Sequence, residues 1–518
     1  MSNLLEKASI VTTPTAYENG KILSVKPNTS VGDFDFTRNS SATRVNSQGL
    51  IEDVQILSSN LVSNGDFSNG STGWTLSSAW NIGTNKAIFS DTIGGDIRTS
   101  SSVFTANKKY QIKLTVADLT SGTAFFGVGD GAANNLANYA NYANGEHTFN
   151  VTAPIGQELR IYSTTSSGSS YSITNISIIE ITDDTNLPRI DYTGGEGHWL
   201  FEPQSTNLIP YSEDFSTYSV YTGASIQQNY STSPDGLQNA TKLNLSANSF
   251  SRIEQIISGS FASQTHTVSL WARCASNTEA FRLKCTNRGY VDYYSENKTA
   301  TTQWQKFSFS ATFGSVSGDI GAAIANSTDA QERSIEIFGF QVEANKSFST
   351  SYIPTEGAIK TRLQDAAFGA GSSDLINSTE GVLYAEIAAL ANDGTNRNIS
   401  LSKDTGNRVN ILYRNGSNRM RFIVRVNNVN VFDTSITLSD IVNYNKVALS
   451  FKENEFKVYV NGVKEVEQLS GSIFPINTLD ALNFDQVSGA QPFFGKTKCV
   501  AVFKEALTDA ELTCLTTI

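Results

Sequence analysis

Apolar and polar residues alternate in short runs along nearly the whole chain. In TANKKYQIKLTVADL, Tyr110, Ile112, Leu114 and Val116 fall on one face of an extended strand. HTFNVTAP places His147, Phe149 and Val151 on one side, and YSITNISIIEI alternates again. Each run spans four to eight residues and is bounded by Gly, Asn or Ser, so residues 58–182 predict a jelly-roll β-sandwich. Residues 207–357 repeat this grammar: NLVSNGDFSNG is echoed by NLIPYSEDFST, KYQIKLTV by THTVSLWA, and HTFNV by WQKFSFSATF. Two copies of one sandwich is the reading.

The ends and the connector differ. Residues 1–57 carry one clear signal, strand-like runs around Asn46-Ser47-Gln48-Gly49, a hairpin loop with Gly where φ is positive. Residues 183–206, DDTNLPRIDYTGGEGHWLFEPQST, are rich in Pro, Gly and charge and read as a connector. Neither piece alone is large enough to bury a core. Residues 34–56 and 186–204 are therefore expected to pack together as one small N-terminal module, with 58–182 inserted into it. In residues 358–518 the strands lengthen. Asn461-Gly462 separates two alternating runs, and Thr508-Asp509-Ala510-Glu511 is a capping box opening one terminal helix. Long antiparallel strands with one cap helix predict a concanavalin-like sandwich. The fold class is all-β, as tandem antiparallel β-sandwiches.

Composition agrees with that architecture. The chain has 518 residues, enough for three or four domains. Only 17% of residues are charged, but 29 Phe and 19 Tyr are spread throughout, which excludes a disordered chain. A net charge of −11 without a basic stripe argues against binding nucleic acid. No apolar run reaches the ~18–20 residues of a membrane span. The N-terminal MSNLLEKASIVTTP has no basic segment leading into an apolar one, so no secretory signal is expected. Cys274, Cys285, Cys499 and Cys514 form no C-x-x-C pair and are expected as four buried or half-buried thiols.

Catalytic chemistry is poorly represented. The three histidines, His147, His198 and His266, have no metal-ligand spacing, and no G-x-S-x-G elbow is present. Gly127-Val128-Gly129-Asp130-Gly131 departs from G-x-G-x-x-G and reads as a glycine-rich turn. Glycoside hydrolysis needs two carboxylates across a cleft; Asp292 with Glu296, or Glu386 with Asp404, are pairs the sequence offers without a motif. No cofactor is required. For calcium, NGDFSNG and SKDTGNR supply Asp and Asn oxygens, but neither matches a dedicated calcium loop, and hydrogen-bonded turns are the simpler reading.

Aromatic residues carry more information, because sugar rings stack their C–H faces on aromatic side chains while hydroxyls find Asn, Asp and Gln. Trp271 and Trp304 lie in strand alternations and are assigned to cores. The glycan-binding candidates are Trp80 with Tyr139 and Tyr142 in the first sandwich, and Tyr290, Tyr293 and Tyr294 in the second. In the third they are Asn410, Tyr413 and Arg414, where alternation puts Asn410 and Arg414 on one face and Tyr413 on the other. Core packing is the competing reading for every aromatic among them.

Several segments resemble a family of bacteriophage tail-fibre and head-spike proteins. MSNLLEKASIVTTPTAYENGKILSVKP followed by FTRNSSATRVNSQGLIEDV is similar to that family's opening, and PRIDYTGGEGHWLFEPQSTNLIPYSEDFS to its second signature. GFQVEANKSFSTSYIPTEG, and EGVLYAEIAAL through LTDAELTCLTT, resemble its C-terminal half, which looks like a laminin-G or concanavalin-type lectin domain. In the family pattern the GLIE segment runs almost directly into PRIDY; here residues 58–182 intervene and look like a carbohydrate-binding-module sandwich. The resemblance transfers no catalytic residue. It implies a non-enzymatic virion-surface protein, assembled in the bacterial cytoplasm and released by lysis. It also implies a homotrimer attached to other virion proteins through its N-terminal module, and binding of host surface polysaccharide for adsorption. The alternatives are a purely structural capsid or tail decoration protein and, against the absence of a β-helix repeat, a polysaccharide depolymerase.

Overall fold

Alternating runs become strands because period-2 burial needs one face on a core and one in water. Lys109–Ala117 buries Tyr110, Ile112, Leu114 and Val116 as its sequence predicts. The fold, a computed structural model, describes residues 2–90, 93–119, 124–130, 135–164, 170–287, 291–414 and 416–518. It is 51% strand and 3% helix, an all-β chain of antiparallel sheets. Among the described residues no helix is long and apolar enough to cross a membrane.

The first sandwich packs a sheet around Lys109–Ala117 and Tyr171–Asp183 onto a five-stranded sheet around Ala124–Asp130 and Leu159–Ser163. Its core holds Trp74, Trp80, Phe89, Phe126 and Tyr171. The Gly127–Asp130 stretch, expected as a turn, lies within a strand, with Gly127 opposite Tyr162. The second sandwich is built likewise, around Thr265–Arg273 and Arg333–Ala344 in one sheet and Glu279–Asn287 and Ile320–Asn326 in the other.

The third sandwich positions the site described below. Its elements, with two borrowed from earlier in the chain, are β1 (Ile10–Thr12), β2 (His198–Phe201), β3 (Glu380–Ala389), β4 (Arg397–Asp404), β5 (Asn407–Tyr413), β6 (Arg419–Val426), β7 (Val429–Thr437), β8 (Asn445–Lys452), β9 (Glu455–Val460), β10 (Val463–Gln468), β11 (Ala481–Asn483), β12 (Gly495–Phe503) and helix α1 (Asp509–Thr516). One sheet runs β2-β12-β3-β8-β9-β10, and the facing sheet runs β7-β6-β5-β4-β11. The β9–β10 turn uses Asn461 and Gly462, both at positive φ. Thr508 and Glu511 close a reciprocal capping box on α1, whose Leu512 and Leu515 are buried.

The N-terminal segment and the connector do not stand apart as a module of their own. Hydrogen bonds do link them: Arg189 reaches Thr43 O, and the Val45 N–H donates to Asp191 Oδ2 at 2.8 Å. Both also enter the third sandwich. Ile10–Thr12 pairs with Val500–Val502 of β12, and Trp199–Phe201 pairs with Gly495–Thr497 of the same strand. Two short pieces of distant sequence thus share one edge of β12. Phe34–Thr37 pairs with Ala366–Phe368, and Phe34, Phe36 and Trp199 join the third core. A segment too small to bury its own core takes a place in a neighbour's, and a bare sheet edge gains a partner. The hairpin Thr43–Val45/Ile51–Asp53 instead caps the second sandwich, where Ile51 meets Phe338 and Tyr352. Trp271 and Trp304, expected in cores, are half-buried in this contact, with Lys306 and Arg273 4.8 Å over their respective rings. Cys274, Cys285 and Cys499 are buried, whereas Cys514 is exposed on α1.

Candidate functional site

The face of the β7-β6-β5-β4-β11 sheet away from the core carries a concentration of polar side chains. β5 sends Val409, Ile411 and Tyr413 into the core and Arg408, Asn410 and Leu412 to the other face. β6 does the same with Met420, Phe422 and Val424 inward and Arg421, Ile423 and Arg425 outward. Strand register then sets the floor: Arg408 lies opposite Arg425, Asn410 opposite Ile423, and Leu412 opposite Arg421. On the other side Ser400 of β4 lies opposite Asn410, and Ser402 opposite Arg408. With Asn398, Arg414, Asn430, Gln486 and Gln491 at its margins, this face encloses a groove of about 200 Å³.

The groove is polar and only partly satisfied from within the chain. Asn410 is buried; its Nδ2 donates to Asn398 Oδ1 at 3.3 Å, and Asn398 Nδ2 donates to Gln491 Oε1 at 3.0 Å. Asn410 Oδ1, Ser400 Oγ, Arg408 Nε and Arg425 Nε have no hydrogen-bond partner among the described residues. Leaving a buried polar atom unpaired costs roughly 1–3 kcal/mol unless water or another partner reaches it, and four such atoms lie on this one face. Arg421 is committed to Asp433, with Nε 2.6 Å from Oδ1, and Asn430 donates to the same carboxylate at 2.8 Å. Burial lowers the Arg408 guanidinium pKa, and the neighbouring Arg425 and Arg421 lower it further. At the rim, Arg397 forks onto both oxygens of Asp393 at 2.7 and 2.9 Å. The loop bearing Gln491 is pinned by Gly489 N–H to Asp485 at 2.6 Å and by Asn398 N–H to Gln491 O at 3.2 Å.

Asn410 and Arg414 come together in this groove, while Tyr413, on the opposite face of β5, stacks at 6.2 Å on Phe493 in the core. The other candidates are not gathered into a platform. Trp80 is 3% exposed; it packs on Phe89 and Tyr171 and donates its Nε1–H to Gly95 O at 3.3 Å. It faces inward because it opens the strand Trp80–Gly83 directly opposite Phe89, a core residue. Tyr142 is half-buried and stacked on Phe126 at 4.3 Å, and burial pushes its hydroxyl up to about 12. The Tyr139 side chain and Tyr290 lie outside the described residues. Tyr293 stacks on Phe313, and Tyr294 lies under Arg282 at 4.5 Å and Lys284 at 5.6 Å.

One member of each carboxylate pair offered by the sequence is used in local structure. Asp292 pairs with Lys284 at 3.3 Å, and Asp404 Oδ1 accepts from the Gly406 and Asn407 N–H groups. Asp66 likewise caps Ser68. Among the described residues no group of three His, Cys, Asp or Glu is placed to hold a metal ion.

The sequence reading missed Asn398, Arg408, Arg421, Arg425 and Gln491. A signal was present in RVNILYRNGSNRMRFIVRV, where polar residues recur at alternate positions on both strands of one hairpin, interrupted only by Leu412 and Ile423. Only the pairing register shows that these positions face each other.

No curated protein matches this chain in sequence. Among solved structures, it is similar to the N-terminal CBM22-1–CBM22-2 tandem domain of Paenibacillus barcinonensis Xyn10C. The identity is 14%, over 55% of this chain and 97% of that one, with a TM-score of 0.21. It is also similar to domain 4 of AbnA, a GH43 extracellular arabinanase from Geobacillus stearothermophilus, in complex with arabinotriose. There the identity is 13%, over 33% of this chain and 84% of that one, with a TM-score of 0.25. Residues 374–513, the segment that contains the whole groove, match the family model described as the concanavalin A-like lectin/glucanases superfamily.

Proposed function

We propose that this protein binds glycans through the groove of its third sandwich. The observation that carries this is the set of unpaired buried polar atoms, Asn410 Oδ1, Arg408 Nε and Arg425 Nε, in the lining of one groove. A saccharide answers each of them, because every hydroxyl both donates and accepts, while Leu412 and Ile423 offer apolar contact to ring C–H groups. No Asp or Glu lines the groove among the described residues, so two-carboxylate hydrolysis has no acid or base to use there. This supports binding without turnover. The match of residues 374–513 to a lectin/glucanase superfamily supports glycan binding.

The biological setting we propose is the outer surface of a bacteriophage particle, as a homotrimeric tail fibre or head fibre that adsorbs to host polysaccharide. The resemblance of the N-terminal and connector motifs to phage fibre and spike proteins supports it. One shallow groove gives weak binding, and linked copies multiply affinity by ~10²–10⁴ when their geometry lets them engage together. The test is a glycan array probed with the full chain and with Asn410→Ala. Retention on particular glycans that falls in the variant supports the reading, and no retention on any glycan overturns it. Antibody-gold electron microscopy of virions and light scattering of the purified chain test the location and the trimer.

A further inference from the structure

Resting on the glycan-binding reading, we propose that the groove is specific for an acidic saccharide. The anionic group sits between Arg408 and Arg425, and a neighbouring sugar hydroxyl donates to Asn410 Oδ1. The charge distribution is the first reason. The chain has a net charge of −11, yet one face of one sheet collects Arg408, Arg414, Arg421 and Arg425 with no carboxylate in the lining. Of these, only Arg421 has an ion pair among the described residues.

Strand register supplies the second reason. Arg408 and Arg425 are direct cross-strand partners. Like charges placed directly opposite each other destabilise a sheet. Arg408 is also 6% exposed, and a buried charge is costly unless it is paired. An anion between the two guanidinium groups relieves both penalties. Their planar forks match a carboxylate, a sulfate ester or a phosphate ester.

Asn410 distinguishes a saccharide from a bare anion. Its Nδ2 is occupied by Asn398, which leaves Oδ1 needing a donor. A sugar hydroxyl donates; inorganic sulfate does not. A volume of about 200 Å³ is below the ~300 Å³ at which drug-sized pockets begin, and suits one ring of a longer polymer lying along the groove.

The experiment is titration calorimetry of the full chain against four probes: polygalacturonate fragments, sulfated dextran, neutral dextran and a single-stranded oligonucleotide. Inorganic sulfate serves as competitor. The expected result is binding of a charged polysaccharide that weakens as salt rises and is at least tenfold tighter than binding of neutral dextran. The better of the two charged arms identifies carboxylate or sulfate. Arg408→Gln with Arg425→Gln should lose about tenfold in affinity. Asn410→Asp keeps the shape but adds a negative charge beside the two guanidinium groups and removes the donor to Asn398, and should abolish the charged arm, with a cooperative melting transition showing that the variant folds. If the double variant does not fold, Asn410→Asp carries the test. Neutral dextran bound as tightly as the charged polymers, or charged binding untouched by these variants, overturns acidic specificity and leaves glycan binding standing. Binding to none of the saccharides overturns both. Inorganic sulfate or the oligonucleotide binding more tightly than either charged polysaccharide also overturns the proposal.

Discussion

Arg38 and Asp365 lie 327 residues apart in sequence and 2.9 Å apart in space, with both side chains fully buried. Asp365 also accepts from Arg189 and from the Glu202 N–H at 2.8 Å. Glu202 pairs with Arg189 at 2.7 Å and Arg362 at 2.9 Å. Burial lowers the Arg38 pKa to about 10. Against the upward push of burial on Glu202, Arg362 and Arg189 hold its carboxyl well below the usual range. This cluster joins the N-terminal segment, the connector and the link between the second and third sandwiches.

Asp365→Asn should therefore destabilise the chain by about 3–5 kcal/mol, because Arg38 would stay buried without its counter-charge and Arg189 would keep only Glu202. Chemical denaturation of the variant beside the parent checks it. A change of a few tenths would mean the cluster is dispensable.

Glu213 sets a pH dependence of the opposite kind. Burial pushes its carboxyl up to about 7, with Asp235 adding to the shift, and the Tyr352 hydroxyl donates to it at 2.9 Å. Between pH 4.5 and about 7 the folded chain keeps this proton while the unfolded chain releases it, so this group's contribution to stability falls as pH rises. Glu213→Gln should lose that slope and melt higher than the parent above pH 7. Melting temperatures of both proteins from pH 4.5 to 8 decide it.

Ile10 is fully buried in the third core although it belongs to the first dozen residues. Ile10→Ala should cost about 2–5 kcal/mol. Hydrogen exchange should speed up in residues 495–503, because Ile10 pairs with Val502. Unchanged protection there would contradict the shared edge.

Trp80 and Tyr413 are core residues and should not contribute to glycan retention. Trp80→Ala should cost about 3–5 kcal/mol of stability. Tyr413→Phe should cost little, since the Tyr413 hydroxyl has no partner among the described residues. Retention on the same glycan array as the parent is expected for both; selective loss in either would move the site.

Much of the local structure was legible in the sequence. The alternation of Tyr110 to Val116, the Asn461-Gly462 turn and the Thr508–Glu511 cap each depend on residues a few positions apart. Asn410 and Arg414 were separated correctly from Tyr413 by the same period-2 reasoning. Trp80 was misread because alternation gives two faces without saying which is inward when both carry apolar residues. Trp271 and Trp304 were misread because a half-buried contact with the hairpin at 43–53 looks, in sequence, the same as a core.

The sequence by itself determined that the chain is all-β, where most strands and turns fall, and that its last residues form a capped helix. These follow from local sterics, hydrogen bonding and side-chain period. Tertiary structure alone decided that residues 10–12 and 199–201 complete one edge of β12, and that Arg38, Arg189 and Arg362 share buried carboxylates. It alone placed Arg408 opposite Arg425 beside Asn410. Those relationships depend on strand register and on contacts hundreds of residues apart. A one-residue slip in pairing leaves the sequence pattern of each strand unchanged and rearranges every side chain across the sheet.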